Sequence, residues 1–348
     1  MSAAKRVFYG LTAVLVFVFS LQLLTASTSE LAPFLRSVLS DVITDDLSAL
    51  GSGWFASYML LNGSTVAAVG LAFLREGILD SGQYFLLASG SRLGATFIVV
   101  LIGVLEYFSG ENESIVDSVS VGILSFLVTY SVYIPATAAG YLLTENLGLG
   151  FLEVQGPAIL RYSLGALFSP SVRLFQGFLG PSFSLAAAVA FLFLALNRFD
   201  RAFADLGRNR LAGDYVRFLL DNRWLSLLAG GLLTVLTASV SLSLGLIVPL
   251  YNQDLIRREE VVPYILGANV TTLVDTLLAA TVVGTEAGMR VLLVLGLAAS
   301  AVTVLFMLFY DRYFRGLKFV FDRLMTDDRA FAGFSFMMVA VPLFLVLL

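Results

Sequence analysis

Between Leu266 and Ala280 the chain reads LGANVTTLVDTLLAA, an apolar run carrying Asn269, Thr271, Thr272 and Asp275. Each of these is costly in hydrocarbon unless it faces a partner or water. Asn269, Thr272, Asp275 and Thr276 follow i, i+3, i+6 and i+7, which places them along one helix face and predicts a shared central cavity. Asp275 suits three roles: a Na+ ligand, a carrier of a coupling proton, or a counter-charge for Arg92. Arg92, within GSRLGAT at 90–96, is the only basic residue deep in an apolar segment. Its guanidinium is permanently charged, and its planar fork matches phosphate or carboxylate oxygens. The plain alternatives for it are an ion pair with Asp275, or snorkelling.

Two other stretches place small polar residues at the middle of apolar runs. In GSGWFASYMLLNGSTVAAVGLAFL these are Asn62, Gly63, Ser64 and Thr65. In LAGGLLTVLTASVSLSLGLIVPL they are Thr237, Ser239, Ser241 and Ser243. Residues of this kind let a membrane helix break. The freed carbonyls and hydroxyls can then ligate a cation, and the N-terminus of a half-helix can face an anion. The same residues also let helices pack closely. The chain has no Cys and no His, which removes thiol nucleophiles, disulfides and the usual neutral-pH base. With no paired-acid or HxxxxD-type site either, an intramembrane lipid-modifying enzyme is disfavoured and no catalytic residue is assigned.

The elements that must position these groups are transmembrane helices. Of 348 residues, 58% are hydrophobic and 13% charged, and mean hydropathy is +0.90. Apolar runs of about 18 or more residues recur, long enough to cross a core of roughly 30 Å. Short alternating segments of the barrel type are absent. Residues 5–27 carry the pattern of a signal peptide, two basic residues before an apolar run and a small-residue end, but are expected to form the first transmembrane helix.

Slid along itself until Gly53 meets Gly230, the chain repeats its own pattern without a gap. Helix 7–24 falls on 184–198, the broken segment 50–74 on 227–251, 83–107 on 260–284, 118–143 on 295–320, and 157–175 on 334–348. In the same alignment Ser64 meets Ser241 and Gly90 meets Gly267. Paired interrupted segments of this kind mark secondary transporters. The amphipathic, Arg-rich stretch 198–223 reads as a helix on the cytoplasmic surface. Treating both broken segments as re-entrant hairpins, with 157–175 at the interface, puts 15 of the 21 basic residues inside. These are Lys5, Arg6, six in 198–223, Arg257, Arg258 and five in 311–329. That satisfies the positive-inside bias and makes the halves inverted.

GSRLGAT begins as far beyond Leu61 as GANVTTL (267–273) begins beyond Ala238. This pairing resembles the sodium-dependent phosphate cotransporter family (type II or NptA-like). There each half carries Gln-Ser-Ser-Ser followed at this spacing by Gly-Ala-Asn-Ile-Gly-Thr-Thr. Ser239 and Ser241 match serines, Gly267, Ala268, Asn269 and Thr272 match directly, and Val270 stands for the isoleucine. In the first copy Ser64, Gly90, Gly94 and Thr96 match, and Leu93 stands for the isoleucine. Leu61 and Ala238 replace both glutamines, Asn62, Gly63 and Val240 replace serines, Thr271 replaces a glycine, and Arg92 stands at the asparagine position.

The expectation is an all-α polytopic protein of two inverted repeats, 1–176 and 177–348, each with a re-entrant or broken helical hairpin. The resemblance implies a plasma-membrane symporter that couples Na+ to phosphate or a similar small anion by alternating access. Asn62, Gly63, Ser64, Thr65, Arg92, Ser239 and Ser241 are the candidate anion residues. Ser64, Thr96, Ser241, Ser243, Asn269, Thr271, Thr272 and Asp275 are the Na+ candidates. The bilayer is the surrounding partner, no nucleic acid is expected, and a homo-oligomer stays open. Two alternatives stand beside it: a proton- or sodium-coupled carrier of another oxyanion or carboxylate, and a non-transporting membrane scaffold of the same fold.

Overall fold

The computed structural model describes residues 3–108, 115–147, 158–203, 220–237, 240, 243–244, 247 and 256–348. The described residues form helices joined by short turns, with no strand among them. Numbered in chain order, the helices are α1 (Ala3–Leu39), α2 (Asp46–Leu60), α3 (Gly63–Arg75), α4 (Ser81–Ala95), α5 (Phe97–Phe108), α6 (Ile115–Leu147) and α7 (Ala158–Phe203). Then come α8 (Arg223–Thr237), α9 (Arg258–Thr271), α10 (Val274–Val283), α11 (Glu286–Leu308), α12 (Tyr310–Thr326) and α13 (Asp328–Val346). Seven segments of the described residues are long and apolar enough to cross a bilayer. The protein is an all-α, multi-pass membrane protein. Its first helix packs into the core through Leu21, Leu23 and Leu24, all fully buried.

The first broken segment opens where the polar residues fall. Leu61 adopts a left-handed backbone (φ 50°) and Asn62 caps α3, its side-chain oxygen accepting from the Thr65 N–H at 2.8 Å. At 15 and 13 residues, α2 and α3 measure about 22 and 20 Å, too short to span. Close approaches to α4 fix their directions. Gly53 sits on the Leu87 carbonyl and Gly94 on Trp54 and Ser57, so α2 runs parallel to α4. Gly63 sits on Ser91 and Gly70 on Tyr84 and Leu87, so α3 runs antiparallel to it. Segment 46–75 is therefore a helical hairpin with its tip at Leu61–Asn62.

The crossing of α2 on α4 recurs along the chain. In the alignment that sets Gly53 on Gly230, α2 lands on α8 end for end, Asp46 on Arg223 and Leu60 on Thr237. The first residue of α4, Ser81, lands on that of α9, Arg258. The contacts recur too. Gly230 sits on the Tyr264 carbonyl as Gly53 sits on that of Leu87, and Gly267 on the Leu227 carbonyl as Gly90 on that of Leu50. A methyl group at any of these four glycines would lie 1.8–2.1 Å from the facing oxygen, inside any tolerable contact. Glycine is required because two backbones touch. Both crossing helices are also interrupted at matched places, α4/α5 at Thr96 and α9/α10 at Thr272–Leu273.

Helix α7 is two arms. Gly180 (φ 73°, ψ 167°) precedes Pro181 and breaks it, and the rings of Phe175 and Phe191 lie 5.7 Å apart. In a straight helix those residues would be about 24 Å apart, so the arms fold back on one another. Phe19 of α1 touches Phe168, Phe175 and Phe191, which ties the apolar stretch 157–175 to α1. The proposed surface linker falls largely on residues outside those described.

Candidate functional site

Arg92 lies in the last turn of α4, 2% exposed and with no ion pair among the described residues. Its Nη1 donates to the Thr272 carbonyl (3.2 Å) and hydroxyl (3.1 Å) and to the Ser64 hydroxyl (3.4 Å). Its Nε reaches the Ser91 hydroxyl at 3.3 Å. Its Nη2 has no partner among the described residues. The interruption of α9/α10 explains the acceptor. Breaking a helix frees a carbonyl that must find a donor elsewhere, and Arg92 supplies one for Thr272 from the other half of the chain.

An Arg92–Asp275 ion pair, one of the alternatives for these two residues, is not among the salt bridges of the described residues. Asp275 is buried in the first turn of α10, where its carboxylate accepts from the Thr276 hydroxyl at 2.9 Å. It remains within electrostatic reach of Arg92 and of the Ser64 hydroxyl. Helices α3 and α10 start together at this cluster and run side by side to the Arg75 Nη1–Val283 carbonyl hydrogen bond (2.6 Å). Two helix N-termini, each with partial positive charge, thus converge beside the guanidinium.

Next to it, Thr234, Val235, Thr271, Thr272, Val274, Asp275 and Leu278 line a pocket of ≈ 30 Å³, room for one water or ion. The Thr234 hydroxyl is buried without a partner among the described residues, and that of Thr271 donates to the Gly231 carbonyl at 3.0 Å. The pocket combines one carboxylate with hydroxyl oxygens.

The other candidates lie around this centre. Asn62 and Thr65 sit at the hairpin tip, with the Thr65 hydroxyl buried and unpartnered among the described residues, and Gly63 packs on Ser91. Asn269 turns away from the pocket: its side chain bonds Thr129 (3.1 Å) and its carbonyl accepts from Tyr133 (2.8 Å) on α6. Thr271 takes its place beside Thr272 and Asp275, because the helical period stops at the α9/α10 break. The Thr96 hydroxyl turns back to Leu93 (3.4 Å), and Ser243 pairs with Tyr264 (2.8 Å). Ser239 and Ser241 lie outside the described residues. Sequence reasoning missed Thr234, Thr129 and Tyr133. Thr234 had a signal, since the alignment of the two halves sets it on Ser57, which packs on Gly94 at the same crossing.

Residues 191–344 match the family model described as Na+/Pi-cotransporter. Over this stretch, which is less than half of the chain, the sequence is similar to sodium–phosphate cotransporters. The family is one of transporters, and the match takes in α8 to α12 and most of α13, including the Thr234–Asp275 pocket. Arg92 and the first hairpin precede it. A Bacillus subtilis (strain 168) relative, the uncharacterized protein YqeW, is 25% identical over 219 residues, 61% of this chain and 69% of its own. No solved structure matches the chain.

Proposed function

We propose that this cotransporter-family protein carries phosphate, or a closely similar oxyanion, together with Na+ by alternating access. The observation that carries the reading is the buried Arg92, whose Nη2 is left unpartnered where two helix N-termini meet. A guanidinium N–H and helix-terminal amides are donors suited to an oxyanion. Ser64 and the hairpin-tip residues Asn62, Gly63 and Thr65 complete the anion side, and Ser239 and Ser241 are proposed to join them because the alignment of the two halves sets Ser241 on Ser64. Na+ takes the adjoining pocket, with Asp275, Thr271, Thr272 and Thr234 as oxygen ligands. Thr96, Ser243 and Asn269 support the surrounding helices. Anion and cation are neighbours, so each lowers the cost of burying the other, which is the physical basis of coupling.

The repeated crossings of α2 on α4 and of α8 on α9 support a duplicated architecture, in which inversion of the halves would let one half rock against the other. The deciding experiment is ³²P-phosphate uptake into proteoliposomes holding the purified protein. An inward Na+ gradient should drive accumulation severalfold above a K+ control. No Na+-dependent accumulation sinks the reading. A response to a proton gradient instead would point to Asp275 as a proton carrier.

A further inference from the structure

We infer that the Arg92 guanidinium is a resident cation, tethered in a place a transported Na+ would otherwise take. The inference rests on the proposed Na+–anion reading of this site. The acceptors around Nη1 are one backbone carbonyl and two hydroxyls, the Thr272 carbonyl and Oγ1 and the Ser64 Oγ. None is a carboxylate. Neutral carbonyl and hydroxyl oxygens at a helix break, joined by a hairpin tip, form the kind of oxygen set that receives Na+ in transporters. Here the positive charge filling that set is covalently attached, reaching across from α4.

Position matters as much as chemistry. Arg92 and Asn269 are counterparts in the two halves, near the ends of the matched helices α4 and α9. Asn269 is neutral, short and held by α6. Arg92 is long and charged and crosses to the α9/α10 interruption. A guanidinium neither dissociates nor loses its proton at any working pH. Its charge therefore accompanies every cycle, and Asp275 balances it from nearby without an ion pair. Two consequences follow. The site needs one fewer mobile cation per anion than it would with a neutral residue at 92, and Na+ is confined to the Thr234–Asp275 pocket.

The test is ²²Na+ binding to full-length protein in nanodiscs without phosphate, comparing wild type, Arg92→Ala, Arg92→Gln and Arg92→Lys. Removal of the guanidinium should raise bound Na+ by one per chain in the Ala variant, and millimolar methylguanidinium should displace the added ion. The Gln variant keeps most of the side-chain volume and is read in the same way if the Ala variant does not fold. The Lys variant, which keeps the charge, should gain none. A folded Ala or Gln variant that binds the same number of Na+ as wild type, with no effect of methylguanidinium, overturns the inference. Because the readout is Na+ alone, it can fail while Na+-driven phosphate uptake succeeds. It can also succeed where uptake fails.

Discussion

Arg92 donates from one nitrogen to both the carbonyl and the hydroxyl of Thr272, 180 positions away. This contact joins the two halves directly and also satisfies the carbonyl freed by the break between α9 and α10. Thr272→Val keeps the carbonyl and nearly the same volume but removes the hydroxyl. A hydrogen bond to a charged group contributes about 1.5–3 kcal/mol, so the variant should unfold at lower temperature by a corresponding amount. Thermal unfolding of the detergent-solubilised protein checks it. An unchanged midpoint would mean that the Arg92–Thr272 hydroxyl bond adds nothing.

Asp275 contributes the only full negative charge among the described residues lining the pocket. Asp275→Asn keeps the shape and removes that charge, so Na+ should be held at least roughly tenfold more weakly, about 1.4 kcal/mol. The half-saturating Na+ concentration for phosphate uptake reads this directly. If it does not move, the coupling ion lies elsewhere.

The four crossing glycines make a prediction with a built-in control. Gly267→Ala would place a methyl carbon 1.8 Å from the Leu227 carbonyl, and Gly230→Ala would place one 2.0 Å from that of Tyr264. Backbone on both sides leaves no flexible side chain to yield, so α8 and α9 must separate, at a cost at or above the roughly 1–3 kcal/mol usual for overpacking. Gly177→Ala and Gly316→Ala meet nothing within 4 Å and should behave as wild type. Monodispersity on size-exclusion chromatography and thermal midpoints separate the two pairs.

The hairpin tip at Asn62 and the pairing of Gly53 with Gly230 were readable in the sequence. Each depends on a local rule, a polar break in an apolar run or a small residue where backbones touch. The family resemblance was readable for the same reason, since GAN and the spaced serines survive in the second copy. Where Asn269 points was not. A continuous helical period predicts it beside Thr272 and Asp275, but the break after Thr271 rotates the following turn, and Tyr133 and Thr129 on α6 claim the asparagine. Of the alternatives open for Arg92 and Asp275, an ion pair between them is not the arrangement seen, because the helix break offers Arg92 a carbonyl and a hydroxyl within reach. Thr234 went unnoticed because a threonine in an apolar helix gives no sign of whether its hydroxyl bonds back to its own helix or is left open.

That open hydroxyl gives the sharpest test of the pocket. Thr234 is 2% exposed, its Oγ1 has no hydrogen-bond partner among the described residues, and it lines the cavity beside Asp275. An unsatisfied buried hydroxyl costs roughly 1–3 kcal/mol, so Thr234→Val should stabilise the protein in Na+-free buffer. If the same oxygen ligates Na+, the variant should lose part of the stabilisation that Na+ confers, because a ligand stabilises in proportion to RT ln(1 + [L]/Kd). The two effects have opposite signs, and a purely structural threonine produces neither pattern. Thermal midpoints of wild type and variant, titrated with NaCl against a constant total of NaCl and choline chloride, should therefore cross, with the variant higher without Na+ and gaining less as Na+ rises. Parallel curves would remove Thr234 from the ligand set, and a variant less stable at every concentration would show that its hydroxyl has a partner.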